Sequence, residues 1–121
     1  LNALQGNFIP SMDRIGLLFE HLVLQQIVNS AQVRDLECDI YNFRTRGGLE
    51  VDFILRLEGQ KHAIECKASD DVSDSDVTSL HKLDTYYNQI SKIIIYRGRR
   101  ELKKEKVWIL PLPKALKVLG L

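Results

Sequence analysis

The chain has 121 residues, 45% of them hydrophobic and 27% charged, with a formal net charge of +1. That length allows one domain with a single buried core, and the composition excludes a disordered or collagen-like chain. The near-neutral charge does not announce a nucleic-acid binder, so any such role must rest on local clusters.

Residues 1–10, with Gly6, Asn7 and Pro10, read as a linker or arm, and residues 11–121 as the domain. A start at Leu1 rather than Met leads us to expect a fragment of a longer chain. Ser11 or Asp13 can cap a helix, whose apolar residues Ile15, Leu18, Phe19, Leu22, Val23 and Ile27 carry it to about Asn29. A strand is predicted over Asp39–Thr45, then a Gly47-Gly48 turn, a strand over Leu49–Leu57, a Glu58-Gly59 turn and a strand over Gln60–Lys67. Residues 68–76 are rich in Asp and Ser and read as a loop. A second helix follows over Asp76–Gln89, then a short buried strand over Lys92–Tyr96. A basic stretch, Arg97–Lys106, leads to a strand over Val107–Leu110, and Pro113 opens a last helix to Leu119. This order predicts an α/β fold with a mixed sheet flanked by helices. The early hairpins are antiparallel, and the strand after the second helix lies parallel to one of them. No apolar run reaches membrane-spanning length and no signal peptide opens the chain. Cys38 and Cys66 lack metal-ligand spacing and fit a reducing, cytoplasmic compartment.

Alternation puts Leu49, Val51, Phe53, Leu55 and Leu57 on one face of the second strand, and Glu50, Asp52, Ile54 and Arg56 on the other. In the third strand His62, Ile64 and Cys66 share a face, opposite Lys61, Ala63, Glu65 and Lys67. A two-residue Glu58-Gly59 loop then sets Asp52 opposite Glu65, Glu50 opposite Lys67, Phe53 opposite Ile64 and Val51 opposite Cys66. Two carboxylates with Cβ atoms about 4.5–5.5 Å apart repel, so a proton, a lysine or a divalent cation must compensate. Mg²⁺ suits such oxygen donors. Lys67 points into the same space, where an ammonium can hold a water or face a phosphate. Glu20 shares a helix face with Gly16, Leu17, Leu24 and Ile27, where an unpaired carboxylate is costly. The bland alternatives are a charged surface hairpin and a solvated glutamate. The agreement of register, helix and segment order favours a site. Glu50 is either a plain ion-pair partner of Lys67 or a supporting group, and we favour support.

Tyr41, Arg44 and Arg46 can touch a phosphate backbone or line a solvated strand edge. Arg97, Arg99 and Arg100 open the basic stretch. They are candidate nucleic-acid contacts, although such a run is more often a solvated hairpin tip. His21, His62 and His81 show no zinc spacing. Trp108, Tyr86 and Tyr87 read as packing residues.

The segment EVDFILRLEGQKHAIECK, preceded by Gly16-Leu17-Leu18-Phe19-Glu20, resembles the PD-(D/E)xK, or restriction-endonuclease-like, superfamily, with its αβββαβ core. Asp52 matches the Asp of that motif, Glu65-Cys66-Lys67 its (D/E)xK, and Glu20 the helical Glu that many members carry. Val51 stands where the motif has Pro. The chain more closely resembles a C-terminal domain of unknown function in a group of bacterial and archaeal AAA+ ATPases. The carrying segments are Gly16–Glu20, Tyr41–Arg44, Glu50–Phe53 and Ile64–Lys67. This resemblance implies a metal-dependent nuclease acting on DNA, with Mg²⁺ or Mn²⁺ held by Asp52, Glu65, the Cys66 carbonyl and Glu20, and with Lys67 as the catalytic ammonium. It also implies an ATPase module ahead of Leu1. The alternative is a non-catalytic nuclease-like module that binds DNA or a partner, or self-associates into a homo-oligomer.

Overall fold

Helix α1 (Met12–Val33) opens the part of the chain that the computed structural model describes, residues 12–121. The arm expected over residues 1–10 and the capping side chains of Ser11 and Asp13 lie outside the described residues. The helix runs one turn beyond the expected Asn29 because Ala31 still packs into the core. It stops where Asp35 turns left-handed (φ 54°) and the Leu36 N–H reaches back to the Ala31 carbonyl at 2.9 Å. That backward bond closes the last helical turn, in a position glycine usually holds.

Six strands follow: β1 (Cys38–Arg44), β2 (Glu50–Leu57), β3 (Gln60–Lys67), β4 (Ser91–Tyr96), β5 (Leu102–Lys104) and β6 (Val107–Pro111). Helix α2 (Asp74–His81) joins β3 to β4, and α3 (Leu112–Val118) closes the chain. The sheet order is β1-β2-β3-β4-β6-β5. Strands β1, β2 and β3 are antiparallel, β3, β4 and β6 are parallel, and β5 returns antiparallel to β6. The architecture is thus a mixed α/β domain with helices on both faces of a mixed sheet, as the element order predicts.

Two cores result. On one face Val23, Ile27 and Ala31 of α1, with Ala115 of α3, cover Phe53, Leu55, Leu57, Ile64, Ile93 and Ile95. On the other, Val77 and Leu80 of α2, with Leu83, cover Ile54, Ala63, Ile94, Val107 and Ile109. Strand β4 is buried on both faces, which explains its unbroken Ile93-Ile94-Ile95 run. Only one stripe of α1 serves the core. Leu18 and Leu22, counted in its apolar periodicity, are 56% and 46% exposed.

Helix α2 departs from its expected span. It begins at Asp74 because Ser73 caps it: the Ser73 hydroxyl accepts from the Asp76 N–H, and the Asp76 carboxylate accepts from the Ser73 N–H. It tightens into a 3₁₀ turn over Lys82–Thr85, where Leu83 is buried and Asp84 accepts a 2.7 Å bond from the Lys92 ammonium. The basic stretch, which reads as a solvated hairpin tip, contains the short edge strand β5. Its hairpin to β6 turns on Glu105 and Lys106, both at positive φ without a glycine. Among the described residues, no helix is long and apolar enough to cross a membrane.

Candidate active site

The geometry of the site begins with an irregularity in β2. Tyr41 pairs with Ile54, but the next pair is Phe43 with Val51, so Asp52 and Phe53 stand opposite the single residue Asn42. Such a β-bulge breaks the period of two and re-aims the side chains around it. Val51 and Ile54, three apart, therefore enter the same core, the one under α2, while Phe53 enters the core under α1. Asp52 joins Glu20 and Gly16 of α1 in lining one cleft. The expected alternation, with Val51 beside Phe53 and Asp52 beside Ile54, fails at this point. The Asn42 amide occupies the irregularity, donating to the Asp52 carbonyl at 2.7 Å.

The second irregularity lies between β2 and β3. The expected hairpin register holds from Leu57–Gln60 to Phe53–Ile64 and the ladder ends there. The Cys66 N–H, which the ladder would next pair with Val51, is taken instead by Asp52 Oδ2 at 2.7 Å. The carboxylate has replaced a main-chain acceptor and opened the hairpin where Glu65 and Lys67 lie. Together these devices form a cleft of about 570 Å³ lined by Gly16, Leu17, Glu20, Asp52, Glu65, Cys66, Lys67 and Asp76.

Its electrostatics follow from crowding. Burial, then a shared hydrogen bond with Asp52 and that group's charge, push the Glu65 carboxyl up to about 9. Burial and the Asp52 charge raise Glu20 as well. The Cys66 thiol is also pushed up, mainly by burial, so it is no nucleophile at neutral pH. Lys67 does not neutralise this cluster. Its ammonium lies 3.3 Å from Asp76 Oδ2 and 3.4 Å from Oδ1. Partial burial would raise Asp76, but the Ser73 N–H and hydroxyl and the Lys67 ammonium outweigh it and hold the carboxyl low.

Four of the expected residues, Glu20, Asp52, Glu65 and Lys67, thus share one cleft, which Cys66 also lines. Glu50 is not with them. It pairs with Arg44, its cross-strand neighbour on β1, at 3.5 Å, both groups largely exposed. The expected Glu50–Lys67 facing fails because the hairpin has already opened. Asp76 is not among the expected site residues; the sequence pattern places it at the start of the second helix. The signal for it was the Ser-x-x-Asp spacing from Ser73, which marks a capping box and places Asp76 where Lys67 can reach it.

The expected nucleic-acid residues are scattered. Arg44 is engaged by Glu50, and Arg46 lies exposed in the β1–β2 connection. The Tyr41 hydroxyl bonds the Tyr87 hydroxyl at 3.0 Å, close to the Phe43 ring that packs on Tyr86 and Tyr87. Arg97, Arg99 and Arg100 lie exposed past the end of β4. Trp108 packs partly buried against the α1 core, as read, with the Lys103 ammonium 4.4 Å from its ring centroid.

The donor types suit a hard divalent cation: Asp52 and Glu65 crowd oxygen donors together, with Glu65 kept protonated by that crowding and its burial, and the nearest lysine is turned to another acid. Among the described residues, no three His, Cys, Asp or Glu side chains already stand as a ready-made metal cage.

Comparison with known proteins places the site in context. Residues 15–115, which include Glu20, Asp52, Glu65 and Lys67, match the model of a family described as a domain of unknown function, DUF4143. No curated protein matches the chain.

Proposed function

The chain belongs to the DUF4143 family, and we propose that this domain is a nuclease-like module of the PD-(D/E)xK kind, hydrolysing phosphodiesters of DNA with Mg²⁺ or Mn²⁺. The carrying observation is the crowding of Asp52 and Glu65 at the opened end of the β2–β3 hairpin, beside Glu20 and Lys67. A fold does not by itself fix an activity, so the reading rests on the site itself.

Asp52, Glu65 and the Cys66 carbonyl would hold the cation, with Glu20 completing the set. A divalent ion in that position supplies Lewis-acid charge beside a phosphate and lowers the pKa of water. The protein does the rest. The Cys66 N–H anchors Asp52, so that carboxylate cannot swing away. Glu65, whose carboxyl is pushed up by burial and by Asp52, would be a ligand only in its deprotonated form. The Lys67 ammonium, shared with Asp76 at rest, turns to hold the attacking water or the phosphate oxygen. An ATPase module preceding the domain, cytoplasmic residence and action on DNA rather than RNA belong to the same proposal.

Two measurements test it. Titration with Mn²⁺ should raise the melting temperature of the chain, and Asp52→Ala should abolish the rise. Plasmid or single-stranded DNA should be cut with Mg²⁺, and Lys67→Ala should lower the rate by at least about a hundredfold. Equal cutting by wild type and Lys67→Ala would end the catalytic reading. One observation favours a second reading, a non-catalytic module for binding DNA or a partner. Lys67 is already paired with Asp76, and no cage is preformed among the described residues. Absence of any melting response to Mn²⁺, with DNA binding intact, would select it.

A further inference from the structure

The loop that leaves β4 holds three arginines in a braced frame. Tyr96 is the register partner of Lys67, so the chain departs from β4 level with the lysine of the cleft. The Arg97 N–H donates to the Ser69 carbonyl at 3.0 Å, tying this loop to the one after β3. The Tyr96 hydroxyl donates to the Arg100 carbonyl at 2.6 Å and lies 3.2 Å from the Arg100 N–H, which donates to it. Its ring lies against Gly98 so closely that a Cβ there would come within 2.2 Å of it. Only glycine tolerates that approach. One tyrosine, 4% exposed, therefore fixes the shape of residues 97–100.

The side chains on this frame are left to solvent. Arg97, Arg99 and Arg100 are exposed, and none forms an ion pair among the described residues. Elsewhere Arg44, Arg56, Lys67, Lys92, Lys104 and Lys114 each hold a carboxylate. Even Asp70, which lines a small cleft with Arg97, makes no ion pair with it. Ordering a loop costs conformational entropy, and here the ordering presents three unpaired guanidinium groups, the side chains best suited to phosphate oxygens. The loop also lies at the carboxyl ends of parallel strands β3 and β4, where open α/β sheets place ligands.

We propose that loop 97–100 is a preformed phosphate-binding element that takes the backbone of a nucleic acid and lays it toward the Asp52–Glu65 cleft. The choice of a nucleic acid as the partner rests on the phosphodiesterase reading; the binding does not require that the domain cut. Backbone contacts of this kind are independent of sequence and release counterions, about 0.9 for each phosphate neutralised on a duplex.

The test uses the whole chain in EDTA, which silences metal chemistry, and a short fluorescein-labelled DNA duplex followed by anisotropy from about 50 to 200 mM salt. Replacing Arg97, Arg99 and Arg100 together with alanine should weaken binding at least about tenfold and reduce the slope of log affinity against log salt by about 2–3. The melting temperature should not change, since these side chains hold nothing in the fold. Replacing the three with lysine should restore most of the slope. Equal affinity and slope in wild type and the alanine variant would overturn the proposal, whether or not DNA is cut. So would equal binding to phosphatidylserine vesicles at matched phosphate concentration, which would make the loop a lipid-surface element. Loop-dependent DNA binding without metal-dependent cutting would keep this inference and end the catalytic reading.

Discussion

Glu65 shows how a single residue can cost the fold stability while preparing it for chemistry. In the metal-free protein its carboxyl holds a proton up to about pH 9, against an ordinary value of 4.5. Between those limits the folded chain keeps a proton that the unfolded chain has released. The contribution of Glu65 therefore favours folding least at high pH and is lost as pH rises through the window. The slope is at most about 1.4 kcal/mol per pH unit for one proton. In EDTA, Glu65→Gln should remove this slope and raise the melting temperature above wild type at pH 8; with Mn²⁺ and no chelator, it should abolish the metal-induced rise. A dependence of stability on pH between about 5 and 9 that Glu65→Gln leaves unchanged would show that Glu65 does not hold the raised proton. Asp52 itself is held by one main-chain donor, the Cys66 N–H, a charge-assisted bond of the stronger sort.

At the scale of elements, the site depends on two departures from regular structure and one cap. The bulge at Asp52–Phe53 turns the carboxylate toward α1, and the early end of the β2–β3 ladder opens room for Glu65 and Lys67. The cap at Ser73 starts α2 where Asp76 meets Lys67. Ser73→Ala should cost about 1 kcal/mol in a urea or thermal unfolding experiment, the usual worth of such a cap. It should also loosen Asp76 and so free the Lys67 ammonium. The alternating pattern of β2 suggested none of this. A bulge is decided by how one strand meets its neighbour, and a stretch such as EVDFIL reads as regular alternation until the partner Asn42 is in place. The register of the hairpin, in contrast, was legible, because Glu58-Gly59 admits a tight turn and the facing apolar residues match in only one way.

For the whole molecule, the central strand carries most of what holds the two layers together. Ile94 is fully buried under α2, between β3 and β6. Ile94→Ala should destabilise the domain by about 2–5 kcal/mol, read as a lower urea midpoint at unchanged slope. Sequence alone determined the order of the elements other than β5, the mixed sheet with its covered β4 and the hairpin register as far as Phe53–Ile64, each from local periodicity or from a turn whose length sets the pairing. The grouping of Glu20, Asp52, Glu65 and Lys67 was legible from the resemblance together with that register. Tertiary structure alone decided that Asp52 faces α1, that Glu50 answers to Arg44, that Asp76 holds Lys67, and that Tyr96 braces the arginine loop. These depend on atoms brought together from separate strands and helices, where a hydrogen bond left unmet in one element is satisfied by another.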